Sequence, residues 1–331
     1  MGVLEVKNLC IGYENKGQTK VIQKDINLSL ERGQIISLMG QNGVGKTTFI
    51  KTISGLLDQL SGEIVYNGKS ITRLSKLELA RQLSVVLTEK PYSQNLSVLE
   101  LIAIGRHPYS GWMGTLSEHD KKIIDWAISE THINYLANRK IYELSDGQLQ
   151  KVMIARALAQ ETDIILLDEP AAHLDLYNKI EVMVLLRDIA RKGKAILIST
   201  HDMQVSTQLS DKLWLFNFNQ SVIQGSPEDL ILDGTLEKTL YLQDYGYDMI
   251  HGTVDLAQNG IEIHVSGNEN EVYWTEQALK RNGYRLTSEA EVSVTVKNRN
   301  WQLIVGQQTF DLKSIAELIS KLSKMGLSQE V

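Results

Sequence analysis

The sequence predicts an α/β protein with a parallel sheet in a large first domain, followed by a small α+β domain. The first observation is an alternation of short apolar runs with amphipathic helical stretches, which is typical of parallel sheets; the runs lie at residues 34–39, 164–167 and 195–200. The second is a change of pattern near residues 245–252, after which strand-like segments predominate. A length of 331 residues fits one large and one smaller domain.

The amino-terminal segments predict a strand, a glycine-rich turn and a helix. Residues 4–9 and 26–30 read as strands, the second with an apolar residue at every other position, as on a half-buried sheet. Residues 34–39 form a nearly continuous apolar run, and residues 46–57 have helical periodicity. A glycine-rich segment lies between that run and that helix.

An inserted helical subdomain is predicted at about residues 75–160, because apolar residues recur three and four apart in 97–105 and 120–129. A long amphipathic helix is predicted at 178–192. We expect domains at 1–250 and 251–331. The second should contain strands at 261–265, 291–296 and 301–305 and helices at 271–282 and 313–324.

Composition narrows the function classes. Hydrophobic residues make up 43% and charged residues 22%, as in ordinary globular proteins. A net charge of −6 without a basic stripe weighs against a nucleic-acid partner. Cys10 is the single cysteine, so an internal disulfide is excluded, and we expect a cytosolic protein because the start lacks a signal-peptide pattern. No apolar run approaches the roughly 20 residues that span a bilayer, so any membrane crossing must come from another chain.

Residues 40–47 read GQNGVGKT, a spacing typical of phosphate-binding loops. The glycines let backbone N–H groups turn toward phosphate oxygens, the lysine reaches the outer phosphates, and the hydroxyl after it helps to hold Mg²⁺. We therefore predict ATP and Mg²⁺ as ligands. The predicted nucleotide-binding residues here are Gly40, Asn42, Gly43, Gly45, Lys46, Thr47 and Thr48.

Two adjacent carboxylates, Asp168 and Glu169, follow the apolar run 164–167. Ligands of open α/β sheets bind at the carboxyl ends of strands, so we predict that Asp168 holds Mg²⁺ together with Thr47. Glu169 would orient or deprotonate the attacking water. An isolated acidic pair is more often solvated, but the phosphate loop in the same chain favours the catalytic interpretation.

Residues 144–148 read LSDGQ and lead into a helical stretch, and they resemble the signature motif of ABC-type ATPases. Phosphate loop, signature, acidic strand and the later Ser199–Asp202 sequence STHD occur in that family's order, and the resemblance covers about residues 3–230. The same segment also reads as a helix N-cap, and both interpretations can hold together. Asp146 departs from the family's usual glycine, and we expect its side chain to point outward.

The resemblance implies a P-loop NTPase fold and a homodimer of ATPase subunits, in which each ATP lies between one copy's phosphate loop and the other copy's signature. Ser145, Gly147 and Gln148 would then bind nucleotide across the interface. His201 would contact the γ-phosphate and the attacking water, and Tyr13 would stack on adenine.

Two further loops have family counterparts. Leu174 and Asp175 match the loop that couples the two sites. The loop that usually carries a glutamine touching Mg²⁺ has Thr88 at that position, and either Glu89 or Gln94 could substitute.

Residues 99–109 and 111–120 resemble ATPases that serve iron-siderophore, haem and cobalamin uptake. That resemblance implies transmembrane permease subunits, a substrate-binding protein in the same system, and a peripheral position on the cytoplasmic face of the inner membrane. Tyr92, Leu96 and Ile102 are predicted to form an apolar patch for the permease. The alternative interpretations are an ordinary amphipathic helix and a soluble ABC ATPase of translation or DNA repair. The second domain has no recognised motif, so a regulatory, dimer-stabilising or passive role stays open.

Overall fold

The computed structural model describes residues 2–15, 18–87, 95–110, 115–218, 221–242, 247–248, 253–254 and 260–327. It divides into two compact units, Met1–Leu240 and Tyr241–Val331. The predicted domain boundary at 250/251 lies ten residues further along the chain than the division at 240/241. In the described part of the chain, no helix is both long and apolar enough to cross a membrane.

The first unit contains ten strands and nine helices within the described ranges. Its strands are β1 (Leu4–Asn15), β2 (Gln18–Leu30), β3 (Ile35–Met39), β4 (Ser61–Tyr66), β5 (Lys69–Ser70), β6 (Leu83–Val86), β7 (Ile164–Asp168), β8 (Ala195–Ser199), β9 (Lys212–Leu215) and β10 (Ile223–Gly225). Its helices are α1 (Lys46–Ile53), α2 (Lys76–Ala80), α3 (Val98–Ala103), α4 (Glu118–Glu130), α5 (Asp146–Ala159), α6 (Leu176–Arg191), α7 (Met203–Leu209), α8 (Pro227–Leu232) and α9 (Thr235–Thr239). Short 3-10 turns occupy Ile71–Arg73, Ile104–Arg106, Asn134–Leu136 and Ile141–Glu143.

A six-stranded sheet in the order β10-β9-β3-β8-β7-β6 forms the centre of this unit. The strands from β9 to β6 are parallel, and β10 joins antiparallel. Every residue of β3, β7 and β8 is buried, because the sheet separates two hydrophobic cores. The carboxyl ends of these three strands meet at one edge, so the loops that follow them come together there. The predicted α/β class is confirmed.

A separate antiparallel sheet has the order β2-β1-β4-β5 and carries Tyr13 on its longest hairpin. The helical stretch between this sheet and β7 is less uniform than predicted. Strand β6 lies inside the region predicted to be helical and pairs in parallel with β7. Its four residues are too few to show a period, so the helical pattern on either side hid it.

Arg106 is a fully buried cation in the segment after α3. Its Nε donates to Asp120 Oδ1 at 2.8 Å, and its Nη1 donates to Ala159 O at 2.8 Å and to Glu161 Oε2 at 2.6 Å. The guanidinium also lies 4.2 Å from the ring centroid of Tyr109. Hydrogen bonds from Ser117 and Arg106 lower the pKa of Asp120 to about 2. Arg106 therefore joins the segment after α3 to the first turn of α4 and to the end of α5.

The second unit is a two-layer α+β fold. Its strands are β11 (Tyr247–Asp248), β12 (Thr253–Val254), β13 (Glu262–Gly267), β14 (Arg285–Leu286), β15 (Val292–Lys297), β16 (Asn300–Val305) and β17 (Gln308–Leu312), and its helices are α10 (Glu269–Arg281) and α11 (Ile315–Lys324). Five strands form a sheet in the order β14-β13-β15-β16-β17. The predicted segments are all present, but β17 and the two-residue strands β11, β12 and β14 were missed.

One face of that sheet holds the core of the second unit. Val294, Val296 and Leu303 point to the same side and pack with Leu279 of α10 and Leu318 of α11. Strand β15 is parallel to β13, and β16 and β17 follow it antiparallel in turn, so β17 runs in the same direction as β13. Each is followed by a helix on this face, so α10 and α11 run in the same direction, with their last turns at the same end.

The buried Trp301 indole depends on one hydrogen bond, which it donates from Nε1 to Thr275 Oγ1 at 2.8 Å. Replacing Thr275 by Val keeps the shape and leaves the indole N–H unpaired, which should cost about 1–3 kcal/mol of local stability. Hydrogen exchange of peptides from α10 and β16 in the full chain should accelerate. Thr275→Ser keeps the hydroxyl and should exchange nearly as the parent does; equal exchange in Thr275→Val and the parent would contradict the prediction.

Candidate nucleotide site

The phosphate loop connects β3 to α1, and three of its glycines, Gly40, Gly43 and Gly45, adopt conformations that L side chains rarely take. Gly40 has φ +146°, and a Cβ there would lie 2.4 Å from Phe216 O. Gly45 has φ +113° and precedes the first residue of α1. The loop can therefore pass close to β9's exit and turn into a helix N-terminus, where free N–H groups favour an anion.

Lys46 lies across this loop. Its Nζ donates to Gly40 O at 2.7 Å and to Gln41 O at 3.2 Å, and the side chain is buried. Burial lowers the pKa of Lys46, and the charges of Glu169 and Asp168 act in the opposite direction. The ammonium is thus held over the loop by backbone oxygens, in a position where phosphate oxygens could take their place.

Glu169 and His201 come from adjacent strand ends and touch each other. His201 Nδ1 lies 3.0 Å from Glu169 Oε1. Glu169 has φ +51°, and its N–H donates to Ser199 O at 2.8 Å, which fixes the turn after β7. The Glu169 side chain is 20% exposed and that of His201 69%. The structure therefore brings together the two residues predicted to be catalytic, with one side open to a ligand.

The side chains of Asp168 and Thr47 are of the chemical kind that binds the predicted Mg²⁺. Asp168 is buried at the end of β7, and Thr47 is exposed at the start of α1. A carboxylate and a hydroxyl are oxygen donors of the kind that Mg²⁺ binds, with water and phosphate oxygens completing its shell. No group of three or more His, Cys, Asp or Glu side chains able to hold a metal occurs within the described ranges.

Tyr13 lies beside the loop, at the end of β1. Its hydroxyl is 3.0 Å from Thr48 Oγ1, and the residue is 45% exposed. One edge of the ring is thus attached to α1 while part of the ring stays accessible to a base. Asn42 and Gly43 are exposed, and no Cβ contact would arise at Gly43.

The signature segment forms the start of α5. Ser145 is its N-cap and accepts from Gln148 N at 3.3 Å, while Gln148 Oε1 accepts from Ser145 N at 3.1 Å. This capping box shows that the N-cap interpretation is correct as far as local structure goes. The remaining free N–H groups at the start of this 14-residue helix point out along its axis, where an anion could accept hydrogen bonds from them.

Asn178 is the residue that sequence reasoning missed. A Cβ on Gly147 would lie 2.2 Å from Asn178 Oδ1. Asp175 caps α6 by accepting from Asn178 N at 2.8 Å and from its Nδ2 at 2.9 Å. These hydrogen bonds hold the pKa of Asp175 below its ordinary value. The spacing Asp-x-x-Asn after the acidic strand was the available signal, since Asp at an N-cap predicts a hydrogen bond to the third residue on.

The next residue along α6, Lys179, forms an ion pair with Asp202. Asp202 follows His201 and caps α7 by accepting from Val205 N at 3.0 Å. The first turn of α6 therefore touches both the signature glycine and the residue next to His201.

Replacing Gly147 by Ala should reduce ATP turnover by about 5- to 150-fold, because the new methyl group overlaps Asn178 and overpacking of this kind costs roughly 1–3 kcal/mol. Steady-state ATPase rates would check this. The double variant Gly147→Ala/Asn178→Ala removes the Oδ1 and Cγ contacts at 2.2 and 2.4 Å and should recover part of the rate. An unchanged rate in Gly147→Ala would contradict the prediction.

The predicted permease patch needs a correction. Ile102 is fully buried in the core and cannot contribute to an exposed patch, because Val98, Leu101 and Ile102 form the inward stripe of α3. Leu96 is partly buried against the same core. Tyr92 and the three residues considered for the glutamine loop, namely Thr88, Glu89 and Gln94, lie outside the described residues.

Comparisons with known proteins agree with this geometry. The ABC transporter family model matches residues 23–172, and the model of the iron ABC transporter C-terminal domain matches residues 260–323. An uncharacterized ABC transporter ATP-binding protein of Methanocaldococcus jannaschii is 38% identical over 78% of this chain and 89% of its own length. The chain belongs to the ABC transporter ATP-binding proteins.

This ABC ATPase is similar to two further proteins. The achromobactin transport ATP-binding protein of Dickeya dadantii is 35% identical over 74% of the chain and 89% of that protein. A solved dimeric bacterial ABC transporter cassette superposes with a TM-score of 0.59 at 26% identity, over 68% of this chain and 98% of that one. The ABC ATPase therefore binds and hydrolyses ATP, as its resemblance implied. Its second unit, which showed no motif, carries a recognised domain of iron transporters.

Proposed function

We propose that this ABC ATPase works as a pair of copies that bind MgATP between them and power a separate membrane permease. The observation that carries the site assignment is the contact of Glu169 with His201 beside the phosphate loop and Lys46. The solved dimeric cassette of similar fold supports the pairing.

Within one copy, the phosphate loop and Lys46 bind the phosphates, and Thr48 and Tyr13 lie next to them. Thr47 and Asp168 would hold Mg²⁺, which shields phosphate charge during phosphoryl transfer. Glu169 accepts a proton from the attacking water, and His201 orients Glu169 and the outer phosphate. His201 suits this role because it touches Glu169 and because its largely exposed side chain stays accessible to a ligand.

The second copy would supply the remaining groups. Ser145, Gly147 and Gln148 stand at the N-terminus of α5, where free N–H groups and the helix dipole favour a γ-phosphate. Leu174 and Asp175 lie at the start of α6 and would contact the opposing copy. ATP thereby holds the two copies together, and its hydrolysis releases them.

The proposed cargo is an iron-siderophore, haem or cobalamin-type chelate. The match of residues 260–323 to an iron ABC transporter domain supports this, and so does the similarity to the achromobactin transport protein. The working complex would contain permease subunits and a substrate-binding protein, with the ATPase peripheral on the cytoplasmic face of the inner membrane. On α3 and just after it, Leu99 and Ile104 are 41% and 50% exposed and are the side chains offered to the permease in place of Ile102.

Affinity purification from detergent-solubilised membranes of the native host tests this function. We expect a many-spanning permease to co-purify, and Leu99→Glu/Ile104→Glu to weaken its recovery. Leu232→Glu is the control, because Leu232 is 85% exposed on α8, away from α3 in sequence. Recovery with ribosomes or repair proteins and no membrane chain would favour a soluble ABC ATPase instead.

A further inference from the structure

The helical face of the second unit carries a groove between α10 and α11. Its volume is ≈ 800 Å³, within the range of small-molecule sites. From α10 it is lined by positions three and four apart, which form one stripe. The residues of α10 that line it are Trp274, Gln277, Ala278 and Arg281, and α11 lines the opposite side.

Trp274 is the largest apolar surface in this groove. It is 64% exposed, which is unusual for a tryptophan in a small domain with its own core. The ring is held edge to face against Tyr273, with centroids 5.1 Å apart and planes at 76°. Because this contact supports the ring from the side, its open surface is preorganised to stack on a flat group.

Among the described residues that line the groove, Arg281 is the one that carries a charge. No carboxylate of the described residues lies within ion-pair distance of its guanidinium. It stands in the last turn of α10, and Lys280 and Lys324 occupy the last turns of α10 and α11 at the same end. Each helix C-terminus contributes a partial negative charge of about half a unit, and the three cations outweigh the two of them, so this end of the groove is positive on balance.

Trp274 and Arg281 are seven residues apart on one helix stripe, which corresponds to about 10 Å along the axis. Four of the side chains that line the groove are small, namely Ala278, Ala316, Ser320 and Ser323. Small residues at this level leave the space open, and the hydroxyls and Gln277 offer hydrogen bonds along it.

We propose that this groove is a binding site for a small organic anion with a planar apolar body. The planar part stacks on Trp274 and against Ile315 and Ile319, and the anionic group pairs with Arg281, whose planar guanidinium can bind a carboxylate in a bidentate manner. A nonpolar ligand would leave the positive end without a partner. The site lies outside the nucleotide machinery and goes beyond the proposed transport function.

Calorimetric titration of the full chain with 2-naphthoate tests the proposal, in saturating ADP so that the nucleotide site is filled. We expect one binding site, and we expect 2-naphthalenemethanol, the neutral analogue, to bind at least tenfold more weakly. Arg281→Gln should weaken 2-naphthoate at least tenfold, and Trp274→Ala should remove measurable binding. Both residues are exposed, so neither change touches the core of the unit.

Lys324→Gln is the matched control, since Lys324 is a cation at the same end but does not line the groove. It should change the affinity for 2-naphthoate less than twofold. Equal losses in Arg281→Gln and Lys324→Gln would overturn the site, as would binding that ignores Trp274→Ala or no binding at millimolar probe. Self-association that Trp274→Ala abolishes, without probe binding, would also overturn it and make the groove an interface between copies. Transport and ATPase rates are measured separately, so a failure here leaves the proposed function intact.

Discussion

Replacing Glu169 by Gln is expected to lower ATP turnover by about 10²- to 10⁴-fold, the usual contribution of a general base, while ATP still binds. The amide keeps the shape of the side chain and can still meet His201 Nδ1, which lies 3.0 Å away in the parent. Only the capacity to accept a proton from water is lost. ATP-loaded copies should therefore accumulate as a closed dimer, measured by size-exclusion chromatography or native mass spectrometry alongside phosphate release.

Glu161→Gln is the control for this variant, because Glu161 has φ +52° and so nearly the same backbone conformation as Glu169, at +51°. It pairs with Arg106, not with His201, and its turnover should stay near that of the parent. Fast phosphate release by Glu169→Gln would show that another group activates water.

Lys46→Ala is expected to weaken ATP binding by roughly 10- to 100-fold, as removal of a charge-assisted contact worth about 1.5–3 kcal/mol would. Thermal stability of the nucleotide-free protein should not fall. Burial already disfavours the charged ammonium, as its lowered pKa shows, so removing it relieves a cost. Fluorescent-nucleotide titration and thermal denaturation together separate a lost contact from a damaged fold.

Lys51→Ala is the matched control on the same helix, because Lys51 lies in the last turn of α1 and is exposed. Its nucleotide affinity should equal that of the parent. If Lys46→Ala bound ATP as tightly as Lys51→Ala does, the phosphate-loop assignment of Lys46 would be wrong.

The sequence predicted the core of the first unit well because buried parallel strands leave an unmistakable pattern. Strands β3, β7 and β8 are buried throughout and mostly apolar. The rule that ligands of open α/β sheets bind at the carboxyl ends of strands predicted that Asp168 and Glu169 belong to the site. Short or partly exposed strands were not predicted, because they leave no such pattern. Strand β6 has four residues between helices, and β17 has no fully buried residue.

The directions of side chains and the contacts between helices and strands could not be predicted from the sequence. Periodicity marked α3 as amphipathic but did not separate its inward residues from its outward ones, so Ile102 was placed on the wrong face. The contact of Asn178 with Gly147 depends on how α5 and α6 pack, which no local pattern reports. The groove of the second unit has the same origin, since it arises from the spacing of two helices.

The first turn of α6 has a consequence for how the two ATP molecules of a dimer depend on each other. Asn178 packs on the glycine that would face one nucleotide, and the adjacent Lys179 pairs with Asp202, which follows the histidine at the other nucleotide. Adjacent residues of one helical turn cannot shift separately by much. Binding of ATP at one site should therefore change the ATP affinity of the other site, and turnover should rise cooperatively with ATP concentration. A mixed dimer carrying a single Glu169→Gln copy should retain clearly less than half of the parent rate.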